Sequence, residues 1–228
     1  MMKKDLFLLA IAFLLFTFSW GQDFAADFLK IQEANKEEKL AFKFKSITLV
    51  SNGIRDSVMQ AEGISLRFKD KYYLKTEMHE TFCDGDRMLV INHHLKIITV
   101  YNGDAAKQFF RSQITKYNEL NVSNDSVVFY GSSNGVKSYT LYLKKGTLRD
   151  TRFKIDSAGH VLETAMHYRY NEGEPGTKEA VTTYFDYKNN IEKSDFIYKL
   201  SDYIIEKKGN IQAVEKYSGY KIYNQINE

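Results

Sequence analysis

The stretch that decides the fold reads GISLRFKDKYYLK, residues 63–75. Apolar residues occupy positions 64, 66 and 68 with polar residues between them, and the alternation resumes at positions 72 and 74 after the polar pair Asp70-Lys71. Successive side chains of a strand point to opposite faces of a sheet, so a period of two indicates a β-strand with one buried face. The stretch therefore predicts two antiparallel strands joined by a tight turn.

The same period of two recurs along most of the chain. It is present in residues 40–44, 139–143, 164–170 and 181–187. Turn-forming residues separate the apolar runs, as at Asp84-Gly85, Asn134-Gly135, Lys145-Gly146 and Ser157-Ala158-Gly159. Together they predict a meander of roughly ten antiparallel strands, and a sheet of that length curls into a barrel or into an incomplete barrel closed by helices.

Two segments have helical rather than alternating spacing. Asp23 can cap a helix in which Phe24, Phe28 and Ile31 form the apolar stripe, and a second helix is predicted at about residues 104–118. The segment 171–178 is polar and contains the only proline, so we expect a long loop there. No internal repeat divides the chain, which indicates a single domain over residues 22–228.

The first 21 residues are typical of a cleavable secretory signal. Lys3 and Lys4 precede a 13-residue run, residues 6–18, that is apolar except for one threonine. At ~1.5 Å rise per residue such a run is too short to cross a hydrocarbon core of about 30 Å. Small residues at positions 19 and 21 predict cleavage before Gln22, and an uncleaved anchor is the alternative. We expect a soluble periplasmic protein or, alternatively, a secreted one.

Composition excludes several classes of function. The chain has 32 Lys and Arg against 29 Asp and Glu, a formal net charge of +3, and loss of Lys3, Lys4 and Asp5 with the leader leaves +2. A nearly neutral, mixed surface does not predict nucleic-acid binding. Cys83 is the only cysteine, so no internal disulfide can form and the core alone must hold the fold. No cysteine follows the leader as a site for a lipid anchor.

No catalytic or metal-binding motif is present. The five histidines include the adjacent pair His93-His94, which we expect to be solvated in a turn, and none has the spacing of a metal site. The carboxylates around His79 and Gly85 fit turn chemistry better than an acid pair. The sequence also lacks a nucleophile elbow and a phosphate-binding glycine loop. We expect no enzyme activity, no metal and no cofactor.

The remaining signal is apolar. We predict that nine residues line one face of the curved sheet, namely Phe42, Phe44, Ile64, Leu66, Phe68, Leu74, Met88, Val90 and Met166. These residues could form an ordinary filled core. Alternatively, two short helices leave part of the face of a ten-stranded sheet open, and this part is a cavity for a hydrophobic ligand.

Three segments resemble the outer-membrane lipoprotein carrier family (LolA-type). They are residues 63–75, residues 83–101 with their Asp84-Gly85 hairpin, and FKIDSAGHVL, residues 153–162. The leader, the length and the opening helix are similar as well. The resemblance implies a LolA/LolB-like fold that is mainly β with two or three short helices, in the form of an incomplete, half-open antiparallel β-barrel under a helical lid.

The resemblance also implies a function. Family members carry lipidated proteins through the periplasm with the acyl chains in the barrel cavity, between an inner-membrane donor and an outer-membrane acceptor. We therefore expect lipidated proteins or other acyl ligands as partners of a monomer. The family usually has Arg-Pro where this chain has Lys69-Asp70, so the arginine that ties the lid to the barrel is replaced by Lys69, with Arg67 as an alternative. A structural or protein-interaction module with a filled core is the other hypothesis.

Overall fold

The structure is a computed structural model of the 228-residue chain. It describes residues 24–34, 36–51, 56–104, 108, 124–169, 178–188, 191–192, 195–207 and 210–225. The expected leader (1–21) and almost all of the expected loop at 171–178 lie outside these residues. Most of the expected helix at 104–118 does too, although residues 103, 104 and 108 are helical.

One helix, α1, spans residues 24–34. Phe24, Phe28 and Ile31 are buried, and Leu29 and Lys30 between them are exposed, as the helical spacing predicted. Two short 3-10 turns occur later, at Leu200–Asp202 and Glu215–Tyr217. None of the helices in the described part of the chain is long and apolar enough to cross a membrane.

Fourteen strands account for most of the described residues. They are β1 (Lys39–Ser51), β2 (Asp56–Phe68), β3 (Lys71–Thr76), β4 (His79–Cys83), β5 (Arg87–Asn92), β6 (Ile97–Asn102), β7 (Asn124–Ser133), β8 (Val136–Leu143), β9 (Leu148–Ile155), β10 (Val161–Tyr168), β11 (Lys178–Tyr187), β12 (Ile204–Lys207), β13 (Asn210–Ala213) and β14 (Lys221–Gln225). The predicted turns lie between them, and Gly85, Gly135, Gly146 and Gly159 all have positive φ, which glycine adopts without strain.

Twelve strands form one sheet in the order β14-β6-β5-β4-β3-β2-β1-β11-β10-β9-β8-β7, and β12 and β13 form a separate hairpin. Neighbours are antiparallel except β14, which pairs with β6 in parallel. The predicted antiparallel sheet is thus confirmed, with two strands more than expected, but it consists of two meanders, β1 to β6 and β7 to β11, joined between β1 and β11. Within the described residues the sheet is open, with β7 and β14 at its edges, and it does not close into a barrel.

The two faces of this sheet are covered in different places. Helix α1 packs over β7 to β11 on one face, which we call the helix face. Residues 195–207 and 210–225, which we call the tail, cover β3 to β6 on the opposite face, which we call the tail face, and end in β14 at the edge of the sheet. The assignment follows from register, because directly paired residues share a face. Phe153 under α1 pairs with Thr164, which pairs with Thr183, which pairs with Ser46.

Each cover completes its own hydrophobic core. On the helix face the buried residues are Phe24, Phe28, Ile31, Tyr139, Leu141, Phe153, Ile155 and Val161. On the tail face they are Tyr73, Phe82, Leu89, Ile91, Ile98, Val100, Tyr203, Ile204 and Tyr217. One end of the sheet is covered on one face and the other end on the opposite face, so apolar side chains are needed on both faces. A ligand site can lie only where neither α1 nor the tail covers the sheet.

Candidate functional site: the helix face around Phe44

Six of the nine predicted cavity residues lie on the helix face. Pairing places Phe42 opposite Ser65, Ser65 opposite Leu74, Leu74 opposite Thr81 and Thr81 opposite Val90. Strand pairing places the remaining members of this set on the helix face in the same way, and they are Phe44, Met88 and Met166. The structure thus brings Phe42, Phe44, Leu74, Met88, Val90 and Met166 to the same face as α1.

The other three predicted residues lie on the opposite face. Leu66 pairs with Ala41 and with Tyr73, whose ring is in the tail-face core. Ile64 and Leu66 pack against that core, and Phe68 lies under the ammonium of Lys39 at 5.3 Å from its ring centroid. The prediction of one common face is wrong for these three, because Gly63 and Ser65, not their apolar neighbours, pair with Phe44 and Phe42.

Aromatic rings of β1 and β11 form a row at the middle of the helix face. The ring of Phe42 lies 5.6 Å from Phe185, 5.3 Å from Tyr187 and 6.4 Å from Phe44, as measured between centroids. All four side chains are half-buried, unlike the fully buried rings under α1. Phe185 also touches the α1 core, so the row is continuous with that core.

Gly63 makes room for the ring of Phe44, which lies at one end of the row of aromatic side chains. A Cβ at this position would lie 2.4 Å from the Phe44 ring and 2.4 Å from the carbonyl oxygen of Lys75. The ring therefore rests directly on the backbone of β2, which only glycine permits. A cavity of about 550 Å³ lies here, within the size range of small-molecule sites. Its lining includes Phe44, Gly63, Thr76 and Phe185 from the helix face and Lys43, Lys45, Glu62, Ile64, Lys75, Glu77, Tyr184 and Asp186 from alternate positions.

Helix α1 is fastened to the sheet by a buried carboxylate. Asp27 lies within the apolar stripe of α1, and its Oδ2 accepts hydrogen bonds from the Tyr139 hydroxyl (2.6 Å) and the Lys137 ammonium (2.7 Å) on β8. Burial acts to raise the pKa of Asp27, but Lys137 and Tyr139 outweigh it, so this pKa is lowered. Sequence reasoning missed Asp27, although an acid at helical spacing between Phe24 and Ile31 was a visible signal.

The two basic residues proposed for the lid line the same pocket but differ in burial. Lys69 is exposed in the β2–β3 turn with φ +58°, whereas Arg67 is half-buried on the helix face. Burial lowers the pKa of Arg67, and the nearby Tyr72 and Glu37 act in the opposite direction. Glu37 lies three residues after the end of α1 and lines the same pocket as both basic residues, so the lid role of Lys69, with Arg67 as the alternative, stays a prediction.

His93 is not a solvated turn residue, contrary to expectation, whereas His94 is exposed. His93 Nε2 lies 3.1 Å from Glu80 Oε1, and Nδ1 lies 3.0 Å from the Tyr220 hydroxyl of the tail. Glu80 is buried and also accepts from the hydroxyls of Tyr73 and Tyr203, at 3.0 Å each, and from Lys75 at 3.2 Å. We call Glu80, its four partners and Tyr220 the tail latch, since together they join the tail to β3, β4 and the turn after β5.

The remaining candidates for chemistry serve structure. The Asp84 carboxylate accepts from the backbone N–H groups of Asp86 and Arg87, as turn chemistry predicts. Burial raises the pKa of the Cys83 thiol, which is 1% exposed, so the thiolate is disfavoured. Among the described residues no group of three or more His, Cys, Asp or Glu side chains could hold a metal ion.

Comparison with known proteins gives matches to solved structures alone. No family model matches the chain, and no curated protein has significant sequence similarity to it. Similar structures include a LolA superfamily protein from Nitrosomonas europaea (TM-score 0.31, 9% identity, covering 77% of this chain and 97% of that one). Structures of the LolA superfamily are thus among those that this chain resembles. This agrees with the family resemblance seen in the sequence.

Two further matches have a similar level of likeness. A putative outer membrane lipoprotein-sorting protein domain from Vibrio parahaemolyticus gives a TM-score of 0.28 at 10% identity over 75% of this chain and 94% of that one. MucB in complex with MucA(peri) gives 0.39 at 16% identity over 77% of this chain, which spans about 60% of the MucB chain. Similarity at these levels establishes neither a function nor a ligand for this chain.

Proposed function

We propose that this protein is a periplasmic carrier that binds the acyl chains of lipidated proteins, or a related hydrophobic ligand, on the helix face. The observation that carries the proposal is the row of half-buried rings, Phe42, Phe44, Phe185 and Tyr187, beside a cavity of about 550 Å³. A row that only filled a core would be fully buried, as the rings under α1 are.

The physical chemistry of acyl transport fits such a site. Each buried methylene contributes ~0.8 kcal/mol, so an acylated protein does not cross water unescorted. A carrier needs a dry, adaptable apolar surface and no reactive group. The half-buried side chains of Met166 and Phe44 provide an apolar surface that adjusts to a chain of variable shape.

The proposal extends to location and partners. The chain is exported by the leader at residues 1–21, and residues 22–228 act as one domain in the periplasm, or outside the cell in the alternative. The carrier is a monomer that receives cargo from an inner-membrane donor and delivers it to an outer-membrane acceptor. It performs no catalytic step and needs no cofactor or nucleic acid.

The test uses protein purified after export from cells that express residues 1–228, with its N-terminus determined by mass spectrometry. An environment-sensitive acyl probe is titrated into the protein, and a triacylated lipopeptide and its deacylated form compete for the probe. The central variant is Phe185→Asp. The matched control is Tyr142→Asp, because Tyr142 of β8 points away from the helix face, is 37% exposed and does not line the cavity.

We expect saturable probe binding, displacement by the acylated peptide alone, and loss of binding in Phe185→Asp but not in Tyr142→Asp. Circular dichroism establishes that both variants are folded. If the folded wild-type protein binds no probe, the carrier proposal fails and a structural or interaction module with a filled core is the remaining hypothesis. Equal loss in both variants would place the ligand elsewhere.

A further inference from the structure

A second pocket lies at one end of the sheet, where β1 ends and β11 begins. It has a volume of about 290 Å³, and its lining includes Leu49, Arg149, His167, Tyr168, Arg169 and Glu179. None of these residues lines the cavity beside Phe44. The proposed carrier function therefore leaves this pocket unexplained.

Asp150 lies behind the pocket and contacts two of its lining residues, Arg149 and His167. It is 2% exposed, and its two carboxylate oxygens hold two different donors. Oδ2 accepts from Arg149 Nε at 2.7 Å, and Oδ1 lies 2.6 Å from His167 Nδ1. Burial acts to raise the pKa of Asp150, but the hydrogen bonds from His167 and Arg149 hold it below its usual value. An ionised carboxylate thus fixes the orientation of both side chains.

The orientation leaves the outer ends of both side chains available. Because Asp150 occupies Nε of Arg149 and Nδ1 of His167, the terminal guanidinium nitrogens and Nε2 of the imidazole are the groups that remain. Among the described residues, neither side chain has another hydrogen-bond partner. Because Nδ1–H donates to Asp150, Nε2 of His167 accepts a hydrogen bond in the neutral ring and donates one in the imidazolium form.

Arg169 adds a third basic side chain that is also held in place. Its two terminal nitrogens donate to the backbone carbonyls of Lys144 (2.6 Å) and Leu143. Its positive charge lies at the pocket without a carboxylate partner among the described residues. The acids around the pocket are thus Asp150, which is directed at Arg149 and His167, and Glu179 in the lining.

We propose that this pocket binds a phosphate group, with Arg149 and the imidazolium form of His167 as its donors, Arg169 as a further positive charge and Asp150 as the positioning residue. A tetrahedral anion accepts hydrogen bonds from several directions, as donors on β9 and β10 require, and the guanidinium fork matches it. If these side chains served only to hold the ends of the strands together, an apolar pair would do so without burying a carboxylate. Leu49 and Tyr168 can contact an apolar substituent of the phosphate.

The test measures binding of inorganic phosphate to the exported full-length product by calorimetry. Arg149→Gln should weaken binding about tenfold, since hydrogen bonds to charged groups contribute this much. Glu179→Gln should strengthen it, because the acid in the lining repels the anion. Arg152→Gln and Glu163→Gln are matched controls, since they make the same charge changes on β9 and β10 outside the pocket lining and should leave the affinity unchanged.

Two further experiments test the role of Asp150 and identify the source of the phosphate. Asp150→Asn keeps the shape of the side chain and should weaken phosphate binding while the protein stays folded by circular dichroism. Co-sedimentation with phosphatidylglycerol vesicles that depends on Arg149 identifies a lipid headgroup as the source, and phosphate binding without sedimentation identifies a free phosphate. No saturable binding up to about 10 mM phosphate, or equal weakening by Arg149→Gln and Arg152→Gln, overturns the proposal.

Discussion

Replacing Glu80 by glutamine tests whether the tail is held to the sheet by a charged latch. The carboxylate of Glu80 accepts from four side chains, and Tyr203 among them belongs to the tail. Glutamine keeps the size of the side chain and one acceptor oxygen. The other oxygen becomes an amide that must donate, so the tyrosine hydroxyls which donated to it have to reverse.

The magnitude follows from these contacts. A hydrogen bond to a charged acceptor contributes about 1.5–3 kcal/mol, against about 1 kcal/mol for a neutral one. Lys75 is half exposed and its ion pair is screened by water, so the two tyrosine contacts dominate. We expect Glu80→Gln to lower the free energy of unfolding by about 3 kcal/mol, which lowers Tm by about 6–12 °C in a chain of this size.

The effect of pH has a definite sign. Burial acts to raise the pKa of Glu80, but Lys75 and the hydroxyls of Tyr73 and Tyr203 outweigh it and lower this pKa below its ordinary value. A depressed pKa in the folded state gives stability that is present above the unfolded-state pKa, about 4.3, and is lost as pH falls through the lower folded-state value. The difference between wild type and Glu80→Gln should therefore be largest near neutral pH and shrink below about pH 4.

Urea unfolding followed by circular dichroism at pH 7 and pH 3.5 measures both effects. Glu62→Gln is the matched control, because Glu62 forms an exposed ion pair with Lys45 on β1 and should change stability by less than about 0.5 kcal/mol. The reasoning is refuted if Glu80→Gln unfolds at the urea concentration of wild type at pH 7, or if its deficit is the same at both pH values.

Three further predictions concern single positions. Gly159→Ala should lower the free energy of unfolding in urea by about 2 kcal/mol, since φ is +93° and the new Cβ would lie 2.6 Å from the backbone of α1. If the variant is as stable as the wild type, α1 does not rest on this turn. Cys83 should react with Ellman's reagent far more slowly in native protein than in urea, because burial raises the pKa of its thiol; equal rates would contradict its burial. Arg67→Ala should lower the free energy of unfolding by about 1–3 kcal/mol, and Lys69→Ala should lower it by under about 0.5 kcal/mol. The reverse order would favour Lys69 as the residue that ties the lid to the sheet.

The local sequence pattern predicted the strands and the helix α1, but it did not predict which apolar residues of neighbouring strands lie on the same face of the sheet. Alternation correctly grouped Phe42 with Phe44, and Ile64 with Leu66, because residues two apart in a strand share a face. It could not assign the two groups to the same face or to opposite faces. That relation depends on the register between β1 and β2, which pairs Phe44 with Gly63, and both faces of this sheet carry apolar residues.

The tail and the polar anchors were harder to predict. The aromatic residues at positions 196, 198, 203, 217 and 220 signal a buried segment, but a short segment with two 3-10 turns and a parallel strand has no single period. Asp27 stood out at helical spacing in α1, whereas its partners on β8 lie 110 and 112 residues away in sequence. Contacts of this kind are set by tertiary packing, which one sequence does not reveal.

The position of β1 beside β11 has a consequence for how the protein folds. Strands β1 to β6 and strands β7 to β11 are two runs of sequence-local hairpins, and within the described sheet the β1–β11 ladder alone unites them. The hydroxyls of Ser46 and Thr183 meet across it at 2.7 Å, although 137 residues separate them. Closing a long loop costs entropy, which delays the pairing of strands that are distant in sequence. We therefore expect the two runs to assemble first and the β1–β11 ladder, the seam between them, to form last. Pulse-labelling hydrogen exchange during refolding should accordingly protect the β2–β3 and β8–β9 amides before those of the seam.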